Sequence, residues 1–353
     1  VVESGNLFMP RTSFFYWAEG TDFDQAQGLE KNAVRRIDGL PRTARWAQPG
    51  YLMSPSAKPV LAELDRICET WKKMGANLYF TNVICALDPY NNRYDFHPDA
   101  PGPDLFYDRL FRLLKRYGEQ LPLFSEGGGL WQLPYQVGFN GQPGWDRETP
   151  VSRVQDDPKR GIMKRAAFEV PLYLDHEYVQ FFPHNTSYDD GPYSIPRLSW
   201  SLANGMGLKC GFYAVGEPNS RNLLYLRTIA LLAERLQPHL FGKRLMNYTE
   251  KNGVVTADYE GTRVVYNPAA ANAACELGDY RAEIAPDGFG FRSADGTTLA
   301  GYFSEFAGNR FAEPVLLVLV FEPERIRIFA PLEEGKLQLT IDGKPVEIPA
   351  YPA

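Results

Sequence analysis

Glu126 is the residue whose neighbours most invite a chemical reading. It closes the run Leu123-Phe124-Ser125 and is followed by Gly127-Gly128-Gly129. The run reads as a short strand, and glycines beyond it let the backbone bend and a ligand approach with no Cβ in the way. Trp131, Tyr135 and Trp145 lie further along the same loop. A carboxyl group at a strand end beside indole and phenol rings suits sugar chemistry: the acid protonates a glycosidic oxygen, and flat rings receive the C–H face of a pyranose. The plainer alternative is a surface carboxylate beside a gating glycine loop.

Carboxylate chemistry of this kind needs a second acid, about 5 Å away for a retaining reaction or about 6.5–9.5 Å away for an inverting one. The preceding strand, Tyr79-Phe80-Thr81-Asn82-Val83, offers an amide and a hydroxyl, and Asp88 is the first carboxylate, in the loop beyond. Asp175-His176-Glu177, after the run Val170 to Leu174, adds two carboxylates and an imidazole. His176 reads equally as a group that orients a sugar hydroxyl and as a satisfied structural histidine.

Other chemistries find little support. His97, His176, His184 and His239 form no HExxH pattern, and His97-Pro98 reads as a loop corner. There is no GxSxG elbow, and Gly127-Gly128-Gly129 lacks the Lys-Ser/Thr of a phosphate loop. Cys68, Cys85, Cys210 and Cys275 are too scattered for a CxxC knuckle and read as buried thiols. No metal or cofactor is expected.

The elements that must position these residues follow from hydrophobic periodicity. Val60, Leu61, Leu64, Ile67, Cys68, Trp71 and Met74 predict an amphipathic helix over 58–74, stopped by Gly75. Leu78 to Ala86 is apolar without alternation, as a strand buried on both faces should be. A second unit repeats the pattern, with a helix over 103–118 and a strand over 121–126. Further on, 167–174 and 208–213 read as strands, and 195–204 and 219–236 as helices. Alternation of α and β predicts an α/β fold with a parallel sheet. With Ser13 to Trp17 as an earlier strand, about five strands can be counted. A (β/α)8 barrel needs eight, so its first units are expected upstream of Val1, in an N-terminal remainder of the same protein.

After about Gly242 the texture changes. Short β-prone runs (253–255, 262–266, 280–284, 289–292, 315–321 and 337–341) are separated by the turn dipeptides Asn252-Gly253, Asp287-Gly288, Asp295-Gly296 and Asp342-Gly343. The expectation is two domains, a barrel over 1–242 and an antiparallel β-sandwich over 243–353.

Composition narrows the classes. In 353 residues, 44% hydrophobic and 23% charged, there is ample material for a packed core. Lys+Arg of 37 against Asp+Glu of 43 lacks the basic surplus that nucleic acid demands. The longest apolar run, Val315 to Phe321, falls far short of the roughly 20 residues of a membrane span. A soluble protein is expected, secreted or periplasmic rather than cytoplasmic.

Three stretches carry a resemblance: Gly75 to Val83, Tyr94-Asp95-Phe96-His97-Pro98, and Phe124-Ser125-Glu126-Gly127-Gly128. Together they resemble the barrel core of bacterial glycoside hydrolases related to the endo-α-N-acetylgalactosaminidases, family 101 and its relatives. Val170-Pro171-Leu172-Tyr173 with His176-Glu177 is similar to a Pro-Leu strand and His-acid pair there, and the hairpins of 253–262 and 284–289 look like those of the following sandwich. The resemblance covers most of residues 60–300 through short motifs.

It implies a glycoside hydrolase in which Glu126 is the general acid/base and the nucleophile position falls on Asn82. An amide cannot form a glycosyl-enzyme intermediate. Asn82 then stands for an engineered inactive substitution, a natural variant with another mechanism, or a barrel that binds sugar without cleaving it. Asp88, Asp175 and Glu177 are candidates for a substitute carboxylate, and Trp131, Trp145 and His176 for sugar contacts.

Overall fold

The structure is a computed structural model that describes residues 8–45, 48–82, 94–126, 134–140, 180–182, 195–208, 220–332 and 336–349. The chain divides into two compact units, Val1–Pro143 and Gly144–Ala353.

The first unit opens with β1 (Arg11–Ser13) and β2 (Tyr16–Ala18), then two short helices, α1 (Asp22–Gln27) and α2 (Leu29–Asn32), and β3 (Thr43–Arg45) and β4 (Pro49–Leu52). The single strand expected over 13–17 is in fact two strands in different sheets. Phe14 and Phe15, both fully buried, carry the chain between them. β2 joins β4 and β3 in a three-stranded antiparallel sheet, whereas β1 joins the parallel sheet. Gly50 permits the β2–β4 approach, since a Cβ there would lie 2.3 Å from the Trp17 carbonyl oxygen.

Helix α3 (Lys58–Lys73) buries Val60, Leu64 and Cys68 and ends before Gly75, which takes φ 82°. Strand β5 (Tyr79–Asn82) follows, then α4 (Phe106–Gly118) and β6 (Leu123–Glu126). A three-residue 3-10 turn over Pro103–Leu105 makes the start of the expected 103–118 helix. Tyr117 on α4 donates to Asp65 on α3 at 2.8 Å, and Arg116 pairs with the same carboxylate at 2.7 Å, so the two helices are tied side by side. β7 (Gly138–Asn140) adds a strand the sequence reading did not find. β1, β5, β6 and β7 form consecutive parallel pairs, β5 and β6 being joined through α4.

In the second unit, β8 (Gln180–Phe182) is a short strand, and α5 (Ile195–Ala203) and α6 (Ser220–Arg235) match the helices expected there. The strand expected at 167–174, and all but Leu208 of the strand expected at 208–213, lie outside the described residues. From Leu245 onward the chain is antiparallel: β9 (Leu245–Lys251), β10 (Val254–Tyr259), β11 (Thr262–Tyr266), β12 (Ala273–Leu277), β13 (Tyr280–Ile284), β14 (Phe289–Arg292), β15 (Thr298–Phe306), β16 (Asn309–Glu322) and β17 (Arg325–Phe329) share one sheet. β18 (Lys336–Ile341) and β19 (Lys344–Pro349) form a separate hairpin.

β15 organises this region. One edge pairs first with β14 and then with β13, and its other edge follows β16. Gly301 sits at that handover, where a Cβ would meet the Phe303 ring at 2.3 Å. One core joins α5 and α6 to Val264, Phe289, Phe291, Ala300 and Val318, and a second joins Ile284, Leu299, Phe303 and Leu317 to Leu339, Ile341 and Ile348 of the hairpin. The sheet therefore has helices on one side and a hairpin on the other. No helix among the described residues is long and apolar enough to cross a membrane.

Candidate functional site

The register of the parallel sheet fixes which residues stand beside one another. Arg11, Phe80, Phe124 and Gly138 are aligned across β1, β5, β6 and β7. One residue on, Thr12, Thr81, Ser125 and Phe139 are aligned. One further, Ser13 pairs with Asn82 and Glu126 with Asn140; because Thr81 is level with Ser125, Asn82 is level with Glu126. Ser13, Asn82, Glu126 and Asn140 thus form one row across four strands at their carboxyl ends, where ligands of parallel α/β folds bind.

Strand alternation assigns the face. Tyr79 and Leu123 belong to the core that contains α3 and α4, and the Trp71 indole N–H donates to Thr12 Oγ1 at 3.1 Å, so the odd positions of β5 and β6 lie on the helix side. Phe80 and Phe124, whose ring centroids are 5.8 Å apart, lie outside that core on the other face. Asn82 and Glu126, two residues on, occupy register positions on that same face. Adjacent strands run about 4.8 Å apart, so the backbones carrying residues 82 and 126 have close to the spacing that two carboxylates require in a retaining glycosidase.

Ser13 and Asn140 were missed as site members. Ser13 was hidden because the expected strand began at it, whereas β1 ends there. Asn140 had no signal, because Gly138-Phe139-Asn140 is too short to show a period. Among the described residues the buried hydroxyls of Ser13, in the row, and of Ser125, one residue before it and on the helix side, have no hydrogen-bond partner.

The sequence also grouped Tyr135 with the sugar-facing aromatics, and here the structure gives a correction. Its ring stacks on Phe111 of α4 at 5.5 Å, with 11° between the planes, and packs against the helix-side core. Asp88, Trp131, Trp145, Asp175, His176 and Glu177 lie outside the described residues, so of the expected site only the backbones of Asn82 and Glu126 are brought together.

His97 does sit at a loop corner. Nδ1 accepts from the Asp99 N–H at 3.1 Å, which assigns the proton to Nε2, and that proton is donated to the Lys31 carbonyl at 3.0 Å. Cys68 is buried and free, and burial raises its thiol pKa. Cys275, also free, is pushed up to about 12 by burial. Neither thiol is poised as a nucleophile near neutral pH.

No protein-family model and no curated protein matches the chain. Among solved structures, the fold is one shared with glycoside hydrolases. The α-N-acetylgalactosaminidase NagBb from Bifidobacterium bifidum, ligand-free, is 18% identical with a TM-score of 0.51 over 75% of this chain and 41% of that one. The cyclic α-maltosyl-(1→6)-maltose hydrolase from Arthrobacter globiformis, in complex with maltose, is 12% identical with a TM-score of 0.52 over 83% of this chain and 76% of that one. The chain thus spans about two fifths of the first enzyme's length. The likeness extends to an N-acetylgalactosaminidase and an enzyme of maltosyl linkages alike, and does not single out family 101.

Proposed function

We propose that the protein is a glycoside hydrolase whose chemistry is centred on Glu126. The observation that carries the reading is the row Ser13, Asn82, Glu126 and Asn140 at the carboxyl ends of the parallel strands. The fold shared with two glycoside hydrolases adds support. In this reading residues 1–242 are the later part of a (β/α)8 barrel, 243–353 are a sandwich appended to it, and the substrate is an oligosaccharide or glycan. Glu126 protonates the leaving oxygen and then deprotonates water. Asn82 holds the neighbouring position, where a carboxylate would complete a retaining pair. Asp88, Asp175 and Glu177 are the substitutes from which a native second acid would come, and Trp131, Trp145 and His176 are assigned to sugar contact.

A second reading has one observation in its favour. Asn82 removes the nucleophile from the position where the register would otherwise put it, and this favours a barrel that binds sugar without cleaving it.

Asn82→Asp distinguishes the two, with aryl α-N-acetylgalactosaminide and aryl α-maltoside as substrates. A glycosidase lacking its nucleophile gains orders of magnitude in hydrolysis. An enzyme that uses another carboxylate is active unaltered, and gains nothing or slows, since an added like charge raises the pKa of the acid. A binding protein stays inert in both forms.

A further inference from the structure

The polar row gives the candidate site a direction. Its order across the sheet is Ser13, Asn82, Glu126, Asn140, so the Asn82–Glu126 pair has a different polar neighbour on each flank. Ser13 borders residue 82, and Asn140 borders Glu126. In glycoside hydrolysis the acid stands at the leaving oxygen, and the second group stands on the opposite side of the anomeric carbon. A glycosidic bond that meets both positions therefore lies along the row, its glycone toward β1 and its leaving group toward β7. Three strand spacings put the ends of the row about 14 Å apart, enough to take in the two sugar units that flank one bond.

The two flanks differ in what lies beneath them. Thr12 accepts from the Trp71 indole on the helix side, so alternation sets Ser13 on the opposite face, the face of Asn82. The Ser13 hydroxyl is buried with no hydrogen-bond partner among the described residues, while the Ser13 carbonyl accepts from the Trp17 indole N–H at 3.0 Å. A buried hydroxyl left without a partner costs free energy that a sugar hydroxyl bonded to it would recover. One level toward the amino ends, on the same face, Arg11, Phe80, Phe124 and Gly138 form a floor. The Arg11 guanidinium lies 5.4 Å from the Phe80 ring centroid, and the Phe80 and Phe124 centroids are 5.8 Å apart. Side chains therefore underlie Ser13, Asn82 and Glu126. Position 138, under Asn140, is glycine and supplies none.

We propose that the row orients the substrate, with the glycone over β1 and β5 against Ser13 and the leaving sugar over β6 and β7 against Asn140. A filled floor suits the single ring held at the attacked carbon, and the gap at Gly138 suits a chain that continues. Ser13 then selects the glycone and Asn140 the leaving group. The inference rests on the glycoside hydrolase reading, with residue 82 on the attacked side.

The test is kinetic, on the full chain in whichever of the unaltered and Asn82→Asp forms is active, with Ser13→Ala, Ser13→Thr, Asn140→Ala and Glu126→Gln made in that background. Substrates are paired so that each pair shares a glycone and differs in leaving group: aryl α-maltoside with maltotetraose, and aryl α-N-acetylgalactosaminide with an α-N-acetylgalactosaminyl disaccharide. Ser13→Ala should lower kcat/KM by about 3- to 10-fold on both members of a pair, keeping their ratio, and Ser13→Thr should restore it. Asn140→Ala should lower it by about 3- to 10-fold on the sugar leaving group and by less than about twofold on the aryl one. The thermal midpoint of Ser13→Ala should hold, since the hydroxyl removed makes no hydrogen bond among the described residues. If Asn140→Ala leaves the ratio of aryl to sugar substrate unchanged, or Ser13→Ala shifts that ratio or lowers nothing, the direction is wrong, and the hydrolase reading stands so long as Glu126→Gln loses hydrolysis. If Glu126→Gln keeps full activity, or neither form hydrolyses any probe, the hydrolase reading falls and the direction falls with it.

Discussion

The antiparallel sheet and the parallel sheet are both rich in buried aromatic residues, yet they use their polar residues differently. In the antiparallel region, polar side chains close the structure on itself. Asn267 Nδ2 donates to the carbonyls of Ala271, Ile284 and Ala285, and Ser293, Asp295 and Thr297 bond one another around a turn. In the parallel region, the polar row begins where apolar packing ends, and the buried Ser13 hydroxyl in that row has no hydrogen-bond partner among the described residues. A region that satisfies its own polar groups is built for stability, whereas one that leaves bonding capacity unused at its strand ends is arranged for a ligand. The comparison fails if substitutions in the antiparallel core alter the chemistry of the folded fraction as strongly as they alter stability.

The largest stability effects are expected in the two cores. Phe14 meets Phe15 and Tyr117 edge-on at 4.9 and 5.4 Å, and Phe291 is fully buried in the second unit. Phe14→Ala and Phe291→Ala should each cost about 3–5 kcal/mol. Hydrogen exchange should then rise in the unit that carries the substitution. In Phe291→Ala, activity per folded molecule should hold.

Next comes Gly301→Ala, where the new Cβ falls 2.3 Å from the Phe303 ring and 2.6 Å from the Phe289 carbonyl oxygen. Chemical denaturation should show a loss of about 3 kcal/mol from overpacking. At Gly343 nothing crowds a Cβ, and only its φ of 74° opposes one, so Gly343→Ala should cost about 1–2 kcal/mol.

Asp95→Ala leaves the Arg35 and His97 N–H groups and the Ser54 hydroxyl without their acceptor. About 2 kcal/mol should be lost in denaturant titrations.

The smallest effect is a pH dependence in the antiparallel region. Bonds from the Ser293 hydroxyl and from the N–H and hydroxyl of Thr297 hold the Asp295 carboxyl down at about 2. A folded pKa below the unfolded one gives stability that is present above the unfolded value and lost as pH falls through the folded value, here between about pH 4 and pH 2. Since the residue is exposed, screening limits the term to less than about 1 kcal/mol. Asp295→Asn should therefore lower the thermal midpoint slightly at pH 7 and by less near pH 2.

How much of this could be read from the sequence follows the same division. The helices over 58–74 and 195–204, and the strands at 280–284 and 289–292, carry long or sharply punctuated patterns, and the structure places them within a residue or two. Asn252-Gly253 and Asp342-Gly343 mark real turns with positive φ at both residues. Strand β9 was missed because Met246, Asn247 and Thr249 to Lys251 are exposed and show no alternation. Only the second half of β16 was seen, because Pro314 interrupts it; the proline falls in the stretch between Val315, opposite Phe303, and Arg310, opposite Glu305, where the register shifts. The Asn82–Glu126 pairing was legible as two consecutive strand ends. Ser13 and Asn140 became visible only through register, a property of three dimensions that no spacing in the chain records.

The central claim, that this row is where the chemistry occurs, is tested most directly by Glu126→Gln. The variant is to be assayed in both the unaltered and the Asn82→Asp backgrounds, on aryl and natural-type α-glycosides. The account predicts a fall of about a hundredfold or more in whichever background is active, greatest for the substrate with the poorer leaving group, with the unfolding midpoint unchanged. Full activity of Glu126→Gln on both kinds of substrate would contradict it.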